Sequence, residues 1–151
     1  MTVIEPATRQ DLPDLVALLA EMDGFYGDVT EGTIEERSSR LGAVLFGEVP
    51  KAAVLLAKDA GQLVGMAAYS FLWPAVGIST SLYLKELYVR QDRRRGGVGQ
   101  QLMDGVLAVA QREGCTRVEW TTDSHNEIAR RFYDALGHTV NAGKVIYRVE
   151  L

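Results

Sequence analysis

Residues 93–100, Arg-Arg-Arg-Gly-Gly-Val-Gly-Gln, place three cations and three glycines directly before a segment of helical periodicity (Val98, Leu102, Val106, Val109). That order suits an anion. The first turn of a helix has unpaired backbone N–H groups and the positive end of the dipole. Glycine lets a phosphate approach the backbone, and an arginine adds a bidentate charge. Arg94–Gln100 therefore predicts a pyrophosphate site. A Walker loop would continue as Gly-Lys-Ser/Thr, whereas this one continues Gly99-Gln100-Gln101. A dinucleotide fingerprint would need a small residue where Leu102 stands, and an acid about 20 positions on, near Glu119. The bland alternative is a turn with solvated arginines.

A second cluster lies at 126–137, Asn-Glu-Ile-Ala-Arg-Arg-Phe-Tyr-Asp-Ala-Leu-Gly. Ile128, Phe132 and Leu136 share a helical face, which places Phe132 in a core. Tyr133 lies about 100° further round and is expected to face a cleft. Cys115 is the one cysteine. It opens an apolar strand and reads as a buried structural thiol rather than a nucleophile. His125 reads as a cap or substrate-site residue and His138 as a surface residue. No cluster with metal-ligand spacing occurs.

The elements that must hold these groups follow from periodicity. Val3–Ile4 begins a short strand ended by Pro6. Leu12, Leu15, Val16 and Leu19 make a helix capped by Thr8 or Asp11, with Pro13 in its first turn and Gly24 and Gly27 breaking it. Ile34, Leu41, Leu45 and Phe46 make a second helix. Residues 52–57 and 62–72 read as a hairpin turning at Lys58–Gly61, and 73–80 as a loop. Residues 81–90 alternate as a strand, with Leu82, Leu84, Glu86 and Tyr88 on one side. After the glycine loop and its helix come a strand at 115–121, the 126–137 helix ended by Gly137, and a last strand at 144–151. This order reads as one α/β domain over 1–151 with a mixed sheet.

Composition narrows the class. The chain has 151 residues, 47% of them hydrophobic, and a formal net charge of −4. The acidic balance gives no general attraction to nucleic acid and mildly favours cationic small molecules. The N-terminus lacks the basic and apolar pattern of a signal peptide, and no apolar stretch approaches the ~20 residues of a membrane span. A single cysteine suits a reducing cytoplasm.

Arg94, Gly97 and Gly99, with their flanking strand and helix, resemble the acetyl-CoA loop of the GNAT superfamily of N-acetyltransferases, Arg/Gln-x-x-Gly-x-Gly/Ala. Asn126, Ala129, Phe132, Tyr133 and Gly137 match a second pattern of that family, and the element order matches over most of the chain. In pattern it is closest to the spermidine/spermine-like (diamine) acetyltransferases, which tend to carry an acidic pair where this chain has Lys85-Glu86.

The resemblance implies a single GNAT-type α/β (α+β) domain, with a mixed, mostly antiparallel sheet splayed at the acetyl-CoA site and about four flanking helices. It implies acetyl-CoA as co-substrate, no metal, a primary-amine acceptor (a small cationic amine or an amino-acid-like one) and a homodimer. Cofactor-binding residues would be Leu87, Tyr88 and Val89 through their backbone, Arg94, Arg95, Gly96, Gly97, Val98, Gly99 and Gln100 in the loop, and Asn126 and Tyr133. Glu86 would help deprotonate the incoming ammonium, and Tyr133 would protonate the leaving thiolate. Asp23, Tyr26 and Asp28, with Glu21 and Glu31 near them, and Trp73 in the 73–80 loop would line the acceptor cleft. An idle acetyl-CoA sensor and a protein or peptide N-acetyltransferase are the alternatives.

Overall fold

The computed structural model describes residues 1–151, which divide into two compact units, Met1–Thr121 and Thr122–Leu151. The first holds a five-stranded sheet in chain order: β1 (Thr2–Pro6), β2 (Ala53–Asp59), β3 (Gln62–Leu72), β4 (Ser81–Val89) and β5 (Arg117–Trp120). β1 to β4 pair antiparallel, and β5 runs parallel to β4. The α-helices of this unit are α1 (Leu12–Phe25), α2 (Ile34–Phe46) and α3 (Val98–Arg112).

Strand alternation divides the core between the two faces of the sheet. Leu15 and Leu18 of α1 and Leu45 of α2 pack with Val54, Leu56, Met66 and Tyr88. On the other face lies α3. A Cβ on its Gly105 would sit 3.0 Å from Ile4 and 3.1 Å from Leu55, so glycine is what lets this helix approach. Gly65 has the same role beneath Leu102, 3.2 Å from where its Cβ would be.

Local chemistry sets the helix ends. The Thr8 hydroxyl and amide both bond the Asp11 carboxylate, closing a 3-10 turn that leads into α1 with Pro13 in its first turn. Gly24 does not break α1, which continues to Phe25; the chain turns at Gly27 (φ 78°). Thr33 and Glu36 form a capping box that opens α2. The β2–β3 turn is tighter than expected: Ala60 (φ 49°) and Gly61 (φ 78°) make a two-residue, left-handed hairpin turn.

Asp11 is 7% exposed, and its carboxylate bonds the Lys58 ammonium at 2.7 Å. Lys58 also reaches Glu5 at 2.7 Å, so one cation ties β1, β2 and the start of α1 together. Burial alone would raise the Asp11 carboxyl, but hydrogen bonds from Lys58 and Thr8 outweigh it and hold it below its ordinary value. Lys58→Met leaves that carboxylate buried without its cation. The expected loss is about 2–3 kcal/mol by urea unfolding at neutral pH. A lowered folded value means that this stabilisation is present above the unfolded carboxyl pKa and is lost as pH falls through the folded one. The gap between wild type and variant should therefore narrow in acid.

The second unit contains α4 (Glu127–Ala135). Asn126 Oδ1 accepts from the Ala129 amide at 3.1 Å, and Gly137 (φ 84°) ends the helix. Two expectations fail here. Residues 144–151 form no strand; β5, at the sheet edge, has β4 as its sole paired neighbour. A strand exists through its ladder, and alternation in a sequence cannot supply a partner. Val145 and Tyr147 stand 78% and 93% exposed. Nor is Phe132 a core residue. It is half-buried, no side chain of α4 is fully buried, and Ile128 is 77% exposed. Thirty residues with one nine-residue helix cannot enclose a core of their own.

Candidate functional site

The sheet opens along β4. Pairing with β5 covers only Ser81–Leu84 against Arg117–Trp120, while β4 continues to Val89. On its other edge the ladder with β3 persists, and the Arg90 amide donates to the Val64 carbonyl at 2.9 Å. Backbone groups alternate in direction along a strand. Glu86 and Tyr88 therefore address β3, and Leu87 and Val89 turn their N–H and C=O groups into the opening. Ala68 pairs with Glu86 and Tyr69 with Leu84, so Lys85 is an extra, bulged residue. The bulge breaks the continuous alternation expected over 81–90 and re-aims Glu86 where the gap begins.

The glycine loop follows at the open end of β4. A 3-10 turn at Gln91–Arg93 is pinned to the β2–β3 hairpin by Arg93, whose guanidinium meets Asp59 at 2.6 Å. Arg95 (φ 65°) and Gly97 (φ 82°) are left-handed, and Gly97 starts α3 with no side-chain cap. The first helical bond runs from the Gln101 amide to the Gly97 carbonyl at 3.1 Å. The amides of Val98, Gly99 and Gln100 precede it and have no helical acceptor.

Arg94 packs back under β4. Its Nε donates to the Val89 carbonyl at 3.0 Å, and its guanidinium lies 4.4 Å from the Phe25 ring centroid and 5.4 Å from that of Tyr88. No carboxylate neutralises it within 4.0 Å. A cation with no carboxylate partner, in the loop that leads into an uncapped helix start, fits the phosphates of a nucleotide.

Beside this lies a second cluster from α1 and the loop after it. Tyr88 is 1% exposed and donates its hydroxyl to Glu21 at 2.8 Å. Burial and that carboxylate push its phenol up to about 12, so it stays protonated. Phe25 packs edge-on against Tyr26, with ring centroids 5.1 Å apart. The Tyr26 phenol is raised by burial and by the charge of Glu86, which places that carboxylate within electrostatic reach. Glu86 is half-buried, and burial raises its carboxyl, with the charge of Lys85 opposing.

The other expected acceptor residues are less concentrated. Asp23 accepts from Thr30 at 3.1 Å and faces Arg37 at 3.8 Å, so it folds the loop between α1 and α2. Asp28 is exposed on the same loop. Trp73 is 67% exposed and donates to the Ile78 carbonyl, closing its own loop around a cis Trp73–Pro74 bond. No hydrogen bond or ring contact joins it to Tyr26 or Glu86. Phe25 was not among the expected site residues. The adjacent Phe25-Tyr26 pair at the end of an amphipathic helix was its only trace in the sequence.

In the second unit Asn126 uses its carbonyl to cap α4, which leaves its amide N–H groups as the donors available to a ligand. Tyr133 packs edge-on against Phe132, centroids 5.1 Å apart. The His125 amide donates to Asp123. Cys115 is half-buried, with its thiol raised by burial and by Glu113, the opposite of an activated nucleophile. No three His, Cys, Asp or Glu side chains gather as a metal site requires. No helix is long and apolar enough to cross a membrane.

Comparison with known proteins gives the family and the fold. The profile of the Acetyltransferase (GNAT) family matches residues 18–138. The D-amino-acid N-acetyltransferase of Saccharomyces cerevisiae is 29% identical over 90 residues, 60% of this chain and 55% of that protein; the match thus spans about half the yeast protein's length. The thialysine N-epsilon-acetyltransferase of Mus musculus is 26% identical over 160 residues, covering 99% of this chain and 92% of the mouse protein. Among solved structures, an integron cassette protein from the mobile metagenome of V. cholerae superposes with a TM-score of 0.89 at 28% identity, covering 99% of this chain and 92% of that one. The chain belongs to the acetyltransferase (GNAT) family, and is an N-acetyltransferase with acetyl-CoA as its acetyl donor.

Proposed function

We propose that the protein acetylates a primary amine, on a small cationic or amino-acid-like acceptor, by direct attack on the bound thioester. The observation that carries this is Glu86: a half-buried carboxylate, raised by burial, at a bulge where β4 parts from β5 and within the field of Tyr26. An amine of reference pKa near 10.4 arrives as ammonium and attacks only when neutral. A carboxylate raised above its usual range is a better proton acceptor than an exposed one.

Acetyl-CoA, when bound, supplies the thioester. The amides of Val98–Gln100 and the Arg94 guanidinium hold its pyrophosphate, with Arg95, Gly96 and Gly97 shaping the turn. The outward backbone groups of Leu87 and the Val89 N–H, on either side of Tyr88, hold the pantetheine arm, the Val89 carbonyl being engaged by Arg94; the family pattern at 126–137 gives the Asn126 amide a part in holding the same arm. Glu86 takes the ammonium proton directly or through one water. As the C–N bond forms and the C–S bond breaks, Tyr133 gives its phenolic proton to the departing sulfur; the second proton of the acylated nitrogen passes through water to restore the phenol, and Glu86 returns its proton to solvent. Tyr26, beside Glu86, receives the acceptor, and the exposed Asp28 adds negative charge on the loop after α1. Relatives named for D-amino acids and for thialysine, an amino acid with a side-chain amine, support this acceptor class.

The test is thiol release from acetyl-CoA with a panel of thialysine, lysine, ornithine, D-amino acids, spermidine, aminoglycosides and peptides. Amino-acid-like amines should give the highest kcat/KM. Best turnover on peptides would move the activity to protein N-termini. Tight CoA binding with no turnover on any amine would make the chain a sensor. The same reading makes the protein a homodimer in a reducing cytoplasm. The exposed apolar run Val145, Ile146, Tyr147 and Val149 supports a second copy, and light scattering tests it.

A further inference from the structure

Arg94 is the cation of the glycine loop, but what orients it comes from α1. A free arginine samples many rotamers, and ordering it on binding costs affinity. Here three contacts fix it. The Val89 carbonyl takes its Nε proton at 3.0 Å, the Phe25 ring lies 4.4 Å from the guanidinium carbon, and the Tyr88 ring lies 5.4 Å from it. The two rings are themselves 6.2 Å apart, centroid to centroid. Tyr88 is held in turn by its hydrogen bond to Glu21, one helical turn before Phe25. A guanidinium on ring faces keeps its in-plane N–H groups for an anion, because stacking uses the π surface and not the donors. A carboxylate partner would have consumed those donors.

We propose that Phe25 is a positioning residue for the donor: by stacking on Arg94 it pre-orients the guanidinium for the pyrophosphate of acetyl-CoA. Phe25 ends α1 and precedes Tyr26, so the stack ties the donor loop to the helix end that begins the acceptor loop. The inference rests on the reading that Arg94 contacts the pyrophosphate.

Two acetyl donors separate the possibilities: acetyl-CoA, and S-acetylpantetheine, which carries the same thioester and arm without the phosphates. Phe25→Leu removes the ring face while keeping an apolar side chain at a position 42% exposed. The variant should raise KM for acetyl-CoA roughly three- to tenfold, as a cation–π contact of this exposure implies. Its kcat should stay within about twofold, and its KM for S-acetylpantetheine should not change. Phe25→Tyr, which restores a ring face, should recover the wild-type KM. General damage to the fold would raise KM for both donors alike and would not be rescued by a ring.

Arg94→Gln serves as the reference. It should raise KM for acetyl-CoA and not for S-acetylpantetheine. If it does, and Phe25→Leu leaves both KM values at wild type or raises both equally, the positioning role is wrong and the phosphate role stands. If Arg94→Gln changes neither, the phosphate reading fails, and the positioning role with it.

Discussion

Glu86→Gln is expected to lower kcat about a hundredfold and to remove the acidic limb of the pH–rate profile. Glutamine keeps the size and the hydrogen-bonding oxygen of glutamate and loses only the ability to take a proton. Glu86 makes no ion pair within 4.0 Å, so its loss orphans no cation. Stability should hold or rise slightly, because a half-buried charge is replaced by a neutral amide. The direction of the pKa shift fixes the shape of the profile. Burial raises the Glu86 carboxyl, so the wild-type limb in kcat/KM should fall above the ordinary carboxylate range, with activity present at higher pH and lost as pH falls through the raised value. Lys85 opposes that rise, so Lys85→Ala should move the limb further up. A Glu86→Gln enzyme that keeps both the limb and the rate would assign the proton to another group.

How much of this was legible in the sequence depends on range. The Arg94–Gln100 loop could be read because a helix start, its glycines and its cation are contiguous. Amphipathic periodicity placed α1, α2 and α3 for the same reason. The Lys85 bulge was not legible. It is a property of the β3–β4 register, and register depends on which of two strands is short by one residue. That one residue decides how Glu86 is aimed. Phe25 was missed because its partners lie 63 and 69 positions away, at Tyr88 and Arg94, and no local spacing encodes such a meeting. The surroundings of Asp23 were hidden for the opposite reason. Its charge was visible, but Thr30 and Arg37, which engage it, gave no sign of doing so. The 144–151 strand illustrates the limit of periodicity. Val145, Tyr147, Val149 and Leu151 alternate well, yet alternation states only that a segment could pair, and the ladder is not formed.

Tyr133→Phe is expected to lower the single-turnover rate between tenfold and a hundredfold while the Kd for CoA stays at the wild-type value. The magnitude follows from the leaving group. A thiol has a reference pKa of about 8.5, so a thiolate departs tolerably near neutral pH, and a general acid helps less here than it would with an alkoxide. A phenol with a reference pKa near 10 is matched to that modest task, since it holds its proton until charge develops on sulfur. Phenylalanine preserves the ring and hence the edge-on packing against Phe132. The loop proposed to hold the phosphates, Arg94 and Val98–Gln100, is untouched. The decisive measurement compares donors. With acetyl thioesters of thiols more acidic than CoA, the departing thiolate needs no proton, and the deficit of the variant should shrink toward onefold. With acetyl-CoA the full deficit should appear, and it should not depend on acceptor concentration. An equal deficit for every thioester would mean that Tyr133 positions the arm and does not protonate the sulfur. An unchanged rate with acetyl-CoA would remove it from the reaction.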